Sequence, residues 1–299
     1  MDVVTLLQES KTTRFSLETY PPKTQKEKCG PSVQEHLSRI FDTVEHLLPY
    51  RPLFVSVTYN PEGKTKATSI PIASIIKQRF GIEALAHLTS IGIPRDEVPR
   101  TLDVLDYFGI QNVLALRGDL PRGLEAESGS MCHAADMVSV IKKHRKDFCV
   151  GVACYPEGHP ECRNERGERD LARDMAFFKA KVDRGAGFAI SQLFLDNSRF
   201  LGFVQRARQS GIGIPIIPGI MPIVNYRNLK IVRDLCGVAV PQGLLQRLEN
   251  GKDDSGEVME VGIEHAILQC KGLMDKAPCI HFYAMNMWEP AERIMKALG

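Results

Sequence analysis

The segment ACYPEGHPEC, residues 153–162, places Cys154, Glu157, His159, Glu161 and Cys162 within ten positions. Thiols, an imidazole and carboxylates this close together pose a choice between holding a metal and touching an organic ligand. Cys154, His159 and Cys162, with four and two residues between them, match no common structural zinc site. Cys154 also falls inside an apolar run, where strand alternation turns its side chain away from that of Tyr155. The two cysteines are therefore read as a buried thiol and a loop thiol, and no metal is expected. The glycines offer no dinucleotide fingerprint either. GAGFAI (185–190) lacks the third glycine and precedes its strand, and GIGIPI (211–216) fails likewise.

The remaining chemistry-bearing residues stand at the ends of short apolar runs. These runs are RFSLETY (14–20), LFVSVTY (53–59), EALAHLT (83–89), NVLALRG (112–118), CVGVACY (149–155), FAISQLFL (188–195), IPIIPGIM (214–221) and CIHFYAM (279–285). At or just past their ends lie Glu18 and Tyr20, Thr58 and Tyr59, His87 and Thr89, Arg117 to Asp119, Tyr155 to His159, Gln192, Pro218–Gly219 and Asn286. No lysine ends a run, which disfavours Schiff-base chemistry. The first run carries no His-x-His, and no other end gathers metal ligands, which disfavours a metal hydrolase.

Between the runs the apolar spacing predicts helices over Gln34–Leu48, Ala67–Phe80, Arg95–Phe108, Ala134–His144, Arg169–Arg184, Ser198–Gln209 and Asn225–Cys236. A helical pair, Gln242–Leu248 and Glu257–Leu273, and a final helix, Pro290–Leu298, follow. Strands apolar on nearly every residue, alternating with helices, belong to a parallel sheet covered by helices. Eight such units predict an α/β fold, a single (β/α)8 TIM barrel, with a doubly wound sheet as the rival. In a barrel the polar strand ends share one face, so a ligand site is expected there. The 299 residues carry a net charge of +2 without a basic run, which gives no electrostatic footprint for nucleic acid or an anionic membrane. Without an apolar stretch of about 18 residues or a secretion signal, the chain reads as soluble and cytoplasmic. Its eight scattered cysteines, none in a C-x-x-C pair, fit a reducing compartment.

The motifs FSLETYPP (15–22), FVSVTY (54–59), AHLT (86–89), LALRGDLP (114–121), YPEGHPE (155–161), KVDRGAGFAISQLFLD (181–196), IIPGIMP (216–222) and HFYAMN (281–286) together resemble the methylenetetrahydrofolate reductase family, in the same order and from Arg14 to Gly299. The resemblance implies one FAD-binding barrel catalytic domain over residues 1–299. It implies hydride transfer from NADH or NADPH through FAD to 5,10-methylenetetrahydrofolate, giving 5-methyltetrahydrofolate in one-carbon and methionine metabolism. It also implies a homo-oligomer. On the matching motifs, Glu18 corresponds to the general acid. The methylene bridge accepts hydride only after its ring opens to an iminium cation, which needs a proton on N10. A carboxyl group supplies that proton best when partial desolvation brings its pKa near working pH. Asp119 corresponds to the carboxylate beside flavin and pterin, and Gln192 to the strand-six glutamine that meets pterin and nicotinamide in turn. The flavin contacts carried over are Thr58, Tyr59, His87, Arg117, Gly118, Asp119, Ala134, Tyr155, His159, Asp174 and Lys181. Asp174 and Lys181, seven apart, share one helix face that would serve ribose and pyrophosphate in place of a glycine loop.

One departure stands out. Met287 follows HFYAMN where the family commonly has an arginine, so a cationic donor toward the substrate is missing. The sequence also shows no regulatory region after the barrel, and feedback by S-adenosylmethionine is not expected. Two other functions stay open at this point: a flavin-binding subunit fed by a protein partner, and reduction of a related pterin carrier. A more distant one is another FAD barrel such as a proline dehydrogenase.

Overall fold

All eight apolar runs form parallel strands in the computed structural model, which describes residues 1–22, 32–59, 66–91, 93–118, 131 and 133–299. The strands are β1 (Arg14–Thr19), β2 (Phe54–Val57), β3 (Glu83–Thr89), β4 (Asn112–Leu116), β5 (Cys149–Cys154), β6 (Phe188–Ser191), β7 (Ile216–Ile217), β8 (Gly219–Ile220) and β9 (Cys279–Tyr283). The helices are α1 (Val3–Glu9), α2 (Val33–Leu47), α3 (Lys66–Phe80), α4 (Glu97–Tyr107), α5 (Ala134–His144), α6 (Leu171–Asp183), α7 (Asn197–Gln209), α8 (Tyr226–Cys236), α9 (Gln242–Asn250), α10 (Ser255–Leu273) and α11 (Trp288–Leu298).

The strand order runs β7-β6-β5-β4-β3-β2-β1-β9-β8. β7 and β8 are one run broken at Pro218, whose missing N–H cannot serve a ladder. The first half pairs with β6 and the second with β9. The Pro218 carbonyl itself accepts from His281 N at 2.9 Å, so the wall closes into a barrel. The doubly wound alternative is thereby set aside.

Alternation sorts the side chains. Leu17, Val55, Val57, Val113, Val152 and Cys154 join the layer between strands and helices, with Ile40 and Val44 of α2. Phe54, Leu85, Leu114, Phe188 and Ile217 fill the barrel interior. Cys154 does face away from Tyr155, and burial raises its thiol pKa. The run FAISQLFL overshoots its strand. β6 stops at Ser191, and Leu193 and Leu195 instead pack as a buried loop against Met221, Ile223 and Leu229.

The sequence reading assigned no element before residue 14, yet α1 closes the N-terminal end of the barrel. Asp2 caps it by accepting from Thr5 N at 2.9 Å, and Val3 N donates to the buried Asn112 Oδ1 at 2.9 Å. Val3 and Leu7 are buried against Phe54, Phe188 and Cys279. Leu7→Ala should cost about 3 kcal/mol of unfolding free energy by urea titration, the usual price of a cavity in a core that cannot collapse. A loss under about 1 kcal/mol would show that the plug is dispensable.

Candidate active site

At the opposite end of the barrel, Glu18 points inward from β1 and is 6% exposed. Pairing of β1 with β2 sets Glu18 opposite Ser56, and pairing with β9 sets it opposite Tyr283. Its Oε1 accepts from the Tyr20 hydroxyl at 2.5 Å, and its Oε2 from Ser56 Oγ at 3.4 Å. His87 Nε2 of β3 lies 3.6 Å from the same Oε2, and His281 Nε2 of β9 lies 3.7 Å away. Beneath His281 a chain runs on, with Ser16 Oγ at 2.8 Å from Nδ1 and Cys279 Sγ donating to Ser16 Oγ at 3.3 Å. Three neighbouring strands and the loop after β1 thus surround one buried carboxyl group with polar atoms.

Burial pushes the Glu18 pKa up. The His281 hydrogen bond, the neighbouring imidazoles of His87 and His281, and the Tyr20 hydroxyl oppose it and leave the carboxyl below its ordinary range. These neighbours favour the ionised form, whereas acid chemistry needs the protonated one. For His87 burial dominates, partly opposed by Glu18, and brings its pKa down to about 4. The imidazole is neutral near pH 7, and its buried Nε2 lacks a hydrogen-bond partner among the described residues, as does the buried hydroxyl of Tyr59.

Tyr283 donates to the Ser191 carbonyl at 2.7 Å, and its ring crosses the face of Gly219. A Cβ at Gly219 would strike both that ring and the Ser191 carbonyl, which explains glycine in the PGI run. Asn286, in the left-handed region at φ 56°, brackets the Tyr20 backbone. Its Oδ1 accepts from Tyr20 N at 2.9 Å and its Nδ2 donates to Tyr20 O at 2.8 Å.

Beside this centre, a cleft of about 490 Å³ opens between the ends of β4 and β5 and helices α5 and α6. Arg117, Ala134, Tyr155, His159, Asp174 and Lys181, six of the residues expected to contact flavin, all line it. Tyr155 and His159 meet edge to face at 4.6 Å, and Glu161 N donates to His159 Nδ1 at 3.1 Å, which places the ring proton on Nε2. Burial raises the Asp174 pKa, opposed by Lys181 and by the His159 N–H that its carboxylate accepts. Burial lowers that of Lys181, whose Nζ donates to the Ala153 carbonyl at 2.6 Å. Both side chains thus brace the cleft as well as facing it. At the rim Arg117 pairs with Glu161 at 2.6 Å, and Gly118 beyond it takes φ 83°, a conformation that favours glycine. Thr58 and Tyr59 follow β2, half-buried at the mouth. Asp119 lies outside the described residues.

Gln192 follows β6, but its Oε1 accepts from Leu193 N at 2.9 Å, so half of the amide serves its own turn. Met287 is 41% exposed, close to the similarly exposed Met285. Cys162 lines the cleft and its thiol donates to the Asp170 carbonyl, whereas Cys154 sits behind the strand, so the opening cluster does not converge. Arg173 of α6 and Arg184 just past its end also line the cleft. Arg169 is a further addition, stitching two loops by donating to the carbonyls of Glu157, Gly158, Cys236 and Gly237. No local pattern announces that contact.

A family model described as methylenetetrahydrofolate reductase matches residues 4–299. The chain belongs to the methylenetetrahydrofolate reductase family. It is 35% identical to methylenetetrahydrofolate reductase (NADH) 1 of Arabidopsis thaliana over 308 residues, covering 100% of this chain and 50% of that protein. It is also 35% identical to the 5,10-methylenetetrahydrofolate reductase of Salmonella typhimurium, covering 95% of this chain and 90% of that one. The chain spans about half the length of the plant and fission-yeast family members it matches. Among solved structures, a Clostridium thermocellum protein described as binding two copies of 5-methyl-5,6,7,8-tetrahydrofolic acid shares the fold, with a TM-score of 0.59 and 13% identity over 98% of this chain and 96% of that one.

Proposed function

We propose that this chain reduces 5,10-methylenetetrahydrofolate to 5-methyltetrahydrofolate, using NADH or NADPH as donor and FAD as the resident carrier. The observation that supports it most is the buried Glu18 carboxyl at a barrel mouth beside a cleft of about 490 Å³ that Arg117, Arg173, Lys181 and Arg184 line. The residues present fit a flavin. His87 Nε2 and the Tyr59 hydroxyl are buried polar atoms waiting for a partner, and Arg117, Arg173, Lys181 and Arg184 supply donors for phosphates. When bound, the flavin takes hydride from a nicotinamide and returns it to the pterin. The chain's own part is to bind, orient and protonate. Glu18 gives its proton to N10 of the pterin, which opens the ring. Asp119 and the amide of Gln192 are the groups proposed to hold the pterin's N–H and carbonyl edge.

The test is anaerobic stopped-flow on the flavin-loaded protein. Absorbance should bleach with NADH or NADPH and return when methylenetetrahydrofolate is added. Protein that binds no flavin on titration would overturn the reading.

The Arg117–Glu161 pair adds a smaller expectation. Glu161 is an exposed anion on a guanidinium that phosphate would need, and Arg117 holds its carboxyl below the ordinary range. Glu161→Gln removes the competitor and should tighten flavin binding several-fold, about 1 kcal/mol, in a fluorescence titration of apoprotein. Unchanged affinity would place the phosphates away from Arg117.

A further inference from the structure

The Tyr20 hydroxyl makes the shortest contact to Glu18, and the rest of Tyr20 is held still to make it. Asn286 brackets its backbone on both sides, from a turn whose Met285 and Asn286 take φ of 52° and 56°. The loop that carries Tyr20 is thereby tied to the loop after β9, and the hydroxyl meets Oε1 alone. The other neighbours meet Oε2: Ser56 from β2, His87 from β3 and His281 from β9. Tyr283 of β9 is spoken for by the Ser191 carbonyl. One carboxylate oxygen thus belongs to the barrel wall and the other to Tyr20.

We propose that Tyr20 is a positioning residue that sets the acid strength of Glu18. Its O–H donates to the ionised carboxylate, and the bond turns or opens when the carboxyl is protonated. This rests on the reading of Glu18 as the acid toward the pterin. The sequence of events balances simply. Glu18 enters the reaction as the neutral carboxylic acid, its proton passes to pterin N10, and the resulting carboxylate regains the Tyr20 hydrogen bond. Solvent reprotonates Glu18 before the next turnover. A donor that engages only the ionised form stabilises the state in which the proton has left, which is where an acid catalyst gains. Burial and the Glu18 charge keep the Tyr20 phenol protonated well above its ordinary range, so it serves as a donor throughout. The groups facing Glu18 that also enter its ionisation are His87 and His281, with Tyr283 and Cys236 close to the Tyr20 side. None of them replaces the Oε1 bond.

The experiment is Tyr20→Phe in the flavin-loaded protein, which keeps the ring and removes the donor. Bleaching by NADH or NADPH should stay within twofold of wild type. Recolouring by methylenetetrahydrofolate should fall about threefold on its low-pH plateau, because the acid is weaker. Its alkaline limb should move up, so that at pH well above the wild-type limb the variant holds roughly tenfold more of the protonated acid than the wild type does. A limb that does not move overturns the proposal. Infrared difference titration of the Glu18 carboxyl band, identified by its loss in Glu18→Gln, reads the same ionisation without turnover, and an unmoved midpoint again overturns it. If Tyr20→Phe fails to take up flavin, 3-fluorotyrosine at position 20 keeps the shape and makes a stronger donor. The limb and the midpoint should then move down, and no shift counts against the proposal. Recolouring at normal rate by Glu18→Gln would instead refute the acid assignment, while the infrared titrations would still judge the Tyr20–Glu18 link.

Discussion

Replacing Glu18 with glutamine should leave the bleaching of the flavin by NADH or NADPH within about twofold of wild type and slow recolouring by methylenetetrahydrofolate at least a hundredfold. The asymmetry follows from what each half of the reaction asks of the chain. Hydride delivery from a nicotinamide needs no proton from the barrel mouth, whereas ring opening at N10 does, and a positioned general acid is worth roughly 100- to 10,000-fold. Glutamine preserves the volume at a site where Ser56, His87 and His281 crowd one oxygen, so the fold is kept and only the titratable proton is lost. The same geometry holds the Glu18 carboxyl below its ordinary range. Burial alone would push it up, but donors and imidazoles on β2, β3, β9 and the loop after β1 offset the desolvation. Ligand closing the mouth would exclude the remaining water and raise the carboxyl back toward the range an acid needs. If the variant recolours at the wild-type rate, the proton comes from elsewhere.

Much of this site was legible from residues 14–20 and 279–285 as separate strands, and little of it as an assembled unit. The apolar runs show eight strands because parallel barrel strands are buried on both faces, and the polar residues at their ends follow from that. What a local pattern cannot contain is which strand closes on which. His281 reads as one polar residue inside CIHFYAM until the β1–β9 register places Ser16 beside it and Glu18 one step further. Tyr20 and Asn286 are far apart in sequence, and the bracket joining them exists only after closure. Pro218 was visible as a proline within a strand run, yet its consequence, a strand shared in halves between β6 and β9, depends on both neighbours. The helix α1 carried a readable Asp2 cap and a Val3–Leu7 pair. A helix this short is unstable alone, so only the barrel floor makes it form. The α6 face was the reverse case. Asp174 and Lys181, seven apart, line one cleft because helix geometry is local.

His87 should make the protein's stability fall steeply on mild acidification, a behaviour that His87→Gln should largely remove. In the folded chain its pKa is about 4, against an ordinary 6.5, chiefly because burial disfavours the imidazolium. Between those values the unfolded chain binds a proton that the folded chain does not, so unfolding gains as pH drops. The contribution is full above about pH 6.5 and is lost progressively down to about pH 4. At roughly 1.4 kcal/mol per unit the loss amounts to about 3 kcal/mol. Glu18 acts in the same sense but lower, since its folded pKa lies below the ordinary 4.5, and its share is lost as pH falls through that range. The half-buried His265, also shifted down by burial, adds to the upper window in both proteins and cancels in the comparison. Urea titrations at half-unit steps from pH 7.5 to 4 would read the difference directly. The two curves should run parallel above pH 6.5, and the wild-type curve should fall by about 3 kcal/mol relative to that of His87→Gln between pH 6.5 and pH 4. Parallel curves over the whole range would mean that burial does not shift the His87 imidazole in the folded barrel.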